Sequence, residues 1–481
     1  MKKISTEEIA KAVGGKTTGH AEISSVVIDN RDVVPGALFI AIKGDRLDGH
    51  KFAKPAVQAG ASAIMVENGF EADPEINVPV IEVKDTKKAF LKLASYYRSS
   101  FGLTKEEFPL VGLTGSVGKT TTKEMIWCVL NAKYNAHKTY MNWNNDIGLP
   151  KVLLGLEKAH TAAVVEMGMD ERGQISELSR TALPNMAVIT NIGVSHIENL
   201  GSREEILASK LEILDGLREG STLILNGDND LLGLVDEKRT GGKFKIKFFG
   251  IEGNLPSENV ESTRNKFTVK AKNILYKDSG TEYTAVCDSG EFLVQLPTTG
   301  EHNVYDSLAA ISVGLELEIP MKDIVKALGG YEPAGMREKI TEINGVTLIE
   351  DCYNASPDSM KALAQTIRIK GEGHSRKIAV IADMLELGDY SDEAHRSCGR
   401  YMADAKIDLL MTYGEKAKLA AESARENGII RIFSFDDKDE LASKLCAMVK
   451  KGDVIAFKGS RGMKLEDVIE KLSETLERGD F

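Results

Sequence analysis

The sequence predicts an α/β chain of three domains. These are a small mixed α/β N-terminal domain over 1–106, a central domain with a phosphate loop on a doubly wound sheet over 107–320, and a C-terminal Rossmann-like domain over 321–481. Three observations carry this expectation. A length of 481 residues asks for about three domains at roughly 150 residues each. The apolar run Phe108-Pro109-Leu110-Val111-Gly112-Leu113 leads into Thr114-Gly115-Ser116-Val117-Gly118-Lys119-Thr120-Thr121, which reads as a strand, a glycine-bearing turn and a helix start. Short apolar runs also alternate with helical periods along the middle and the last third of the chain, the rhythm of parallel sheets with crossover helices.

Each element follows in order. In the first part, Ala37 to Ile42 and Ala63 to Val66 are short buried-strand candidates between Gly- and Asp-containing turns. In the second, strands are expected at Ala162 to Met167, Met186 to Thr190, Thr222 to Leu225 and Phe244 to Phe249. Alternating stretches at Lys266 to Tyr276 and Glu291 to Leu296 predict an added antiparallel piece. The third part starts near Pro320, with strands at Lys377 to Ala382, Asp408 to Thr412 and Asp453 to Phe457, and has no phosphate loop of its own.

The turn at Thr114 to Thr120 carries the chemistry. Its glycines let backbone N–H groups point inward at phosphate oxygens, and the helix start adds the positive end of its dipole. Lys119 reaches the terminal phosphates and Thr120 can hold Mg²⁺. The generic pattern wants glycine where Leu113 stands, so only its GK[ST] half is met. No NKxD guanine reader follows, and no HRD or DFG element of a protein kinase is present. Glu166 ends a buried strand and is a candidate Mg²⁺ ligand. His196 lies in the next strand-end loop. Ser202 and Glu205 make a capping box for a helix whose buried stripe is Leu207, Leu211 and Leu214, and Lys210 sits on or beside that stripe. Taken singly, each has a plainer reading: a solvent-facing glutamate, a solvated loop histidine, a snorkelling lysine.

Composition narrows the class. With 28% charged and 42% hydrophobic residues, the chain is ordinary globular protein. A net charge of -11 argues against a dedicated nucleic-acid or anionic-membrane surface. Five scattered cysteines without a CxxC pair indicate neither a disulfide framework nor a zinc site, and a reducing compartment follows. No apolar run approaches the ~18 residues of a membrane helix, and Met1 to Gly15 reads as a short amphipathic helix, so a cytoplasmic protein is expected.

The segments TGSVGKTTTKEM (114–125), MNWNNDIGLP (141–150), VVEMGM (164–169), TNIGVSHIENLGSREEILASKLEIL (190–214), GEHNVYDSLAA (300–310), DCYNASPDSM (351–360), ADMLELG (382–388) and KGSRGMKLE (458–466) resemble the Mur ligases. The likeness extends to Asp29 to Arg31, Pro35 to Lys43 and Asp48-Gly49-His50, and so covers nearly the whole chain. The family's own loop lacks the leading glycine. The resemblance implies an ATP-dependent amide ligase of the branch that adds D-alanyl-D-alanine to UDP-N-acetylmuramoyl-tripeptide through an acyl phosphate. It implies two Mg²⁺ ions, Thr120 and Glu166 around one, His196 and a carbamylated Lys210 helping to place the second. Lys119, Glu166, His196 and Lys210 would be the catalytic set.

By the same resemblance, Asn142, Asn144 and Asn145 contact the nucleotide-sugar substrate and phosphates. His302 and Asn303 meet adenine, and Arg337, Asp351 and Asn354 reach the ribose and phosphates from the third domain. Asp29, Arg31 and Asp48 lie near the UDP moiety. Asp306, Cys352 and Ser356 depart from the family's usual residues. A site split between two domains implies an open apo state and a closed ATP state, hinged near Pro320 to Arg337. A monomer is expected, without nucleic-acid or membrane partners. A sister ligase adding one amino acid or glutamates, and a catalytically silent nucleotide-binding homologue, stay open, as do the tripeptide's third residue and the tolerance for other dipeptides.

Overall fold

The structure is a computed structural model and describes residues 1–44, 46–254, 267–333, 335, 337–373 and 376–479; the expected strand start at Lys266 lies outside these, as do Ala334 and Met336 within the expected hinge. Three separate sheets organise the chain, beside a two-stranded ribbon of Ile4–Ser5 and Glu22–Ile23.

The first sheet runs Lys16–Thr17, Val80–Val83, Ala63–Glu67, Ala37–Ile40, Ser25–Val27, parallel except at the Lys16–Thr17 edge. Ala37–Ile40 is buried throughout, as expected for a strand covered on both faces. The N-terminal helix Thr6–Val13 starts where Ser5 Oγ accepts the Glu8 N–H, ends on left-handed Gly14, and buries Ile9, Ala10 and Val13.

The central sheet has nine strands in the order Gly290–Leu296, Gly280–Cys287, Phe267–Lys277, Lys245–Ile251, Thr222–Asn226, Met186–Ile189, Leu110–Thr114, Ala162–Glu166, Ala136–Lys138. The seven strands from Phe267–Lys277 to Ala136–Lys138 are parallel, and Gly280–Cys287 and Gly290–Leu296 join antiparallel. Leu110–Thr114 is flanked by Ala162–Glu166 on one side and Met186–Ile189 on the other. The chain therefore changes direction across it, and the crevice beyond its C-terminal end is where such sheets bind ligands. The expected antiparallel piece is present, but its middle strand Gly280–Cys287 was not foreseen from sequence: Thr281, Glu282 and Thr284 mask its alternation, although Thr281, Tyr283 and Ala285 face inward.

The third sheet runs Lys339–Ile343, Val346–Glu350, Asp453–Lys458, Arg376–Ala382, Leu409–Tyr413, Ile432–Phe435. All pairs are parallel except the opening hairpin. There Asn344 and Gly345 both take positive φ, 50° and 81°, the two-residue turn that Asn-Gly favours.

One apolar cluster holds Ile9 and Phe90 of the first unit together with Leu110, Leu149 and Leu207 of the central one. A second covers the other face of the central sheet, beneath the helix Glu301–Glu316. The helix Met321–Gly329, which follows the expected break at Pro320, belongs to that second cluster through Met321, Ile324 and Leu328, and Tyr331 joins it. Its apolar face thus stays on the central sheet, and the chain crosses to the third sheet between Tyr331 and Lys339. Among the described residues no helix is long and apolar enough to cross a membrane.

Candidate functional site

A cleft of about 670 Å³ opens between the ends of the central and third sheets. The loop after Leu110–Thr114 forms its floor. Gly118 takes φ 79° and starts the helix Lys119–Leu130, a conformation glycine adopts without strain. A Cβ on Gly115 would stand 1.8 Å from Thr190 Oγ1, so that glycine is needed for space. Thr114 Oγ1 donates to Met167 O at 2.9 Å, tying the loop's base to the neighbouring strand. Asn191 Oδ1 accepts the Ser116 and Val117 N–H groups at 3.1 and 2.9 Å, and the Lys119 ammonium donates to Gly115 O at 2.8 Å and Ser116 O at 3.2 Å. Burial lowers the Lys119 amine, with Glu166 opposing.

Glu166 lines this cleft and is 1% exposed. Its Oε2 accepts from Thr120 Oγ1 at 3.0 Å and its Oε1 from Asn144 Nδ2 at 2.9 Å. A buried carboxylate with a hydroxyl and an amide on its two oxygens suits a hard cation that takes few protein ligands and completes its shell with phosphate oxygens and water. The donor set fits Mg²⁺. Among the described residues no group of three or more His, Cys, Asp or Glu gathers to hold a metal; of the expected set, Thr120 and Glu166 are in direct contact.

His196 enters from the next loop with φ 60°. Its Nδ1 lies 2.8 Å from Glu386 Oε2 and 3.5 Å from Asp170 Oδ1, near enough for charge attraction but outside hydrogen-bond geometry. Burial and then Lys119 push its imidazole below the ordinary value. Lys210, on the helix Arg203–Leu211, is 3% exposed. Its amine is pushed well below the usual lysine range by burial and by Lys119, so this lysine does not snorkel. Two details of that helix differ from expectation. Ser202 Oγ accepts the Glu205 N–H without the reciprocal bond of a capping box, and the helix stops at Leu211, so Leu214 falls in a 3₁₀ turn.

The opposite wall comes from the helix Glu301–Glu316 and the third sheet. Asn303 Nδ2 donates to Thr299 O and Glu338 Oε2, both at 3.0 Å. His302 Nε2 lies 2.9 Å from Glu338 Oε1. Burial would lower the His302 imidazole, but the Glu338 carboxylate overrides it and raises it; the imidazolium in turn holds Glu338 down. Asp306 accepts from Thr122 Oγ1 at 2.6 Å and is pushed up to about 7 by burial. Arg337 stacks over the Tyr353 ring at 4.4 Å. Asp351 pairs with Lys458, and Asn354 Oδ1 turns back to the Ala355 N–H at 2.8 Å. All of these line the same cleft.

The remaining expected residues are used otherwise. Asn145 lines the cleft, but its Oδ1 caps the helix Gly148–Leu154 through the Gly148 N–H at 2.8 Å. Asn142 is exposed and outside the lining. Asp29 and Arg31 pair with each other, Asp48 bonds His50 at 2.7 Å, and none of the three lines this cleft. Sequence reasoning did not single out Asn191, Glu386 or Lys458, although each lay inside a quoted segment. Their strand-end and loop positions were the available signal.

Comparison with known proteins agrees along the whole chain. Residues 22–98 match the Mur ligase family catalytic domain, 113–314 the Mur ligase middle domain and 337–461 the Mur ligase glutamate ligase domain. A UDP-N-acetylmuramoyl-tripeptide–D-alanyl-D-alanine ligase from Bacillus subtilis (strain 168) is 38% identical over 481 residues, 99% of each chain. A crystal structure of MurF from Acinetobacter baumannii, 29% identical, superposes with a TM-score of 0.87 over 98% of this chain and 99% of that one. The MurF ligase from Thermotoga maritima in complex with ADP, 28% identical, gives 0.79 over 95% and 98%. This chain belongs to the Mur ligase family.

Proposed function

We propose that this protein joins D-alanyl-D-alanine to UDP-N-acetylmuramoyl-tripeptide at the expense of ATP, forming ADP and phosphate. The observation that carries the reading is the two-walled cleft, in which the loop at Thr114–Thr120 with Glu166 faces Arg337, Asp351 and Asn354, in a chain 38% identical over its length to a relative named for that reaction.

The carboxylate of the tripeptide takes the γ-phosphoryl group of ATP. The amine of the dipeptide attacks the acyl carbon, and phosphate leaves as the amide forms. The reaction brings two anions together, so the protein's contribution is positioning and charge neutralisation. Lys119, now held by loop carbonyls, turns to the terminal phosphates. The loop N–H groups held by Asn191 pass to phosphate oxygens. Thr120 and Glu166 would hold Mg²⁺, which would supply charge screening at the phosphate oxygens. Lys210 as a carbamate is an anion that accepts hydrogen bonds, which answers the cost of an inward lysine beside Lys119, and His196 stands near it. His302 and Asn303 face the base, Arg337, Asp351 and Asn354 the ribose and phosphates.

Residues 1–106 receive the UDP-sugar with Asp29, Arg31 and Asp48; the central unit from 107, with the helix Met321–Gly329 packed on it, holds ATP; the residues from 337 on complete the site. One chain supplies every group named, so a monomer suffices. The protein acts in the cytoplasm, where ATP is supplied. The test is phosphate release with the two substrates supplied singly and together, with product mass measured. Release only with both, and a product one dipeptide heavier, is expected; turnover with a single amino acid instead would move the chain to a sister ligase, and none with any amine would leave a silent homologue.

A further inference from the structure

Behind Glu166 lies a group of charges that the reaction above does not use. Lys123 follows Thr120 by three residues on the same helix and therefore shares its face. It is 1% exposed. Its ammonium lies 3.2 Å from Glu124 Oε1 and 4.0 Å from Glu166 Oε2. Glu124 also pairs with Lys138, whose ammonium sits over the Trp127 ring at 3.7 Å. Two lysines and two glutamates offset one another here, with Lys138 partly exposed, and the Lys119 ammonium adds a further positive charge facing Glu166, in surroundings where an uncompensated charge is costly.

Glu166 is therefore already matched by positive charge before any cation binds to it. A divalent ion arriving alone adds two uncompensated positive charges and meets the Lys123 ammonium as a like charge. The same ion arriving with a polyphosphate brings its own counter-charge. We propose that Lys123 is a positioning residue that couples divalent-cation binding to nucleotide binding, holding Glu166 in place when no nucleotide is present and disfavouring the bare cation. The inference rests on the reading that Glu166 holds the divalent ion beside ATP.

The experiment titrates full-length wild type, Lys123→Met, Lys123→Arg and Glu124→Gln with MnCl₂ alone and then with MnCl₂ plus ADP, reading free Mn²⁺ by electron paramagnetic resonance. Lys123→Met, close in volume and leaving Glu124 its Lys138 partner, is expected to bind Mn²⁺ alone at least about tenfold tighter than wild type, since like charges at this range in a partly buried site interact strongly. Its coupling between Mn²⁺ and ADP shrinks by a similar factor. Lys123→Arg keeps the wild-type pattern. Glu124→Gln leaves excess positive charge beside Glu166 and weakens Mn²⁺ binding in the absence of ADP. Should Lys123→Met fail to fold, that opposite shift in Glu124→Gln carries the test. Equal affinities for Mn²⁺ alone across the variants, with Mn²⁺ and ADP still bound together, overturn the inference and spare the ligase reading. A wild-type protein that binds no Mn²⁺ even with ADP overturns both.

Discussion

Gly115 offers the sharpest test of the nucleotide loop because its requirement is one of space. A Cβ there would stand 1.8 Å from Thr190 Oγ1, 3.1 Å from Thr190 Cβ and 3.2 Å from Thr190 N. The Thr190 hydroxyl donates to Val117 O at 2.6 Å, and the Thr190 N–H pairs with Thr114 O at 3.1 Å, so the side chain cannot turn away without releasing the loop. In Gly115→Ala the hydroxyl must rotate. Losing its hydrogen bond costs about 1 kcal/mol and the residual overpacking about 1–3 kcal/mol, or about 2–4 kcal/mol together. For a unit of this size that lowers the melting midpoint by roughly 5–10 °C, and nucleotide affinity falls because Val117 loses its anchor. Thr190→Ala alone costs about 1 kcal/mol, but in the double variant Gly115→Ala/Thr190→Ala the nearest clash is gone. The pair should therefore cost less than the sum of the single changes, by about 1–2 kcal/mol. Thermal melting with fluorescent-ATP binding on all four proteins measures this. Additive losses, or a Gly115→Ala protein that melts and binds like wild type, would refute the steric argument.

Lys210→Met removes a buried amine beside Lys119 and should leave the melting midpoint unchanged or higher while substrate-dependent phosphate release drops at least about 100-fold; a parallel fall of both would make Lys210 a structural residue. Asp306, raised to about 7 from 3.8, stabilises the fold fully below its unfolded value, and that contribution is lost as pH rises through about 7. Asp306→Asn, which still accepts from Thr122, should therefore gain on wild type between pH 4 and pH 8, by at most about 4 kcal/mol, read from urea midpoints; a constant difference across that range would count against the shift. Glu338→Gln removes the strongest of the groups that raise the His302 imidazole, so by NMR the ring should titrate lower than in wild type; an unchanged titration would count against the pairing.

The strands with unbroken apolar runs were legible in the sequence because both faces are buried: Ala162–Glu166, Met186–Ile189 and Thr222–Asn226 fall within a residue or two of expectation. Gly280–Cys287 was not, since an antiparallel strand at the sheet's outer end mixes polar residues into both faces. Lys119, Thr120 and Glu166 were legible because local geometry, a loop at one strand end and a carboxylate at the next, places them. Glu386 meets His196 across two separate sheets, which no local pattern encodes, whereas Asn191 and Lys458 meet partners at neighbouring strand ends of their own sheets, a pairing that needs the strand order. Asn145 illustrates the converse. Its amide suited ligand recognition on paper, yet three residues downstream a helix begins, and the nearest unsatisfied N–H groups claim its oxygen.

The unequal bonding of the three units decides where the cleft can open. The first and central units share one apolar cluster, reinforced by Arg98, fully buried and donating to Gly102 O and Leu183 O. Separating them would expose that core. The third unit is tied to the cleft mainly by polar contacts: His302 and Asn303 to Glu338, His196 to Glu386, Lys370 to Asp278. Water replaces such contacts at a net cost of only about 1 kcal/mol each. An opening of the cleft would therefore carry the third unit away from the other two. The helix Met321–Gly329 would stay with the central sheet because Ile324 and Leu328 are buried against it, so such a motion would not begin before Tyr331. Arg337 and Glu338 line the cleft from the third unit's side, so a separation of the units would draw the Arg337 charge away from the loop at Thr114–Thr120.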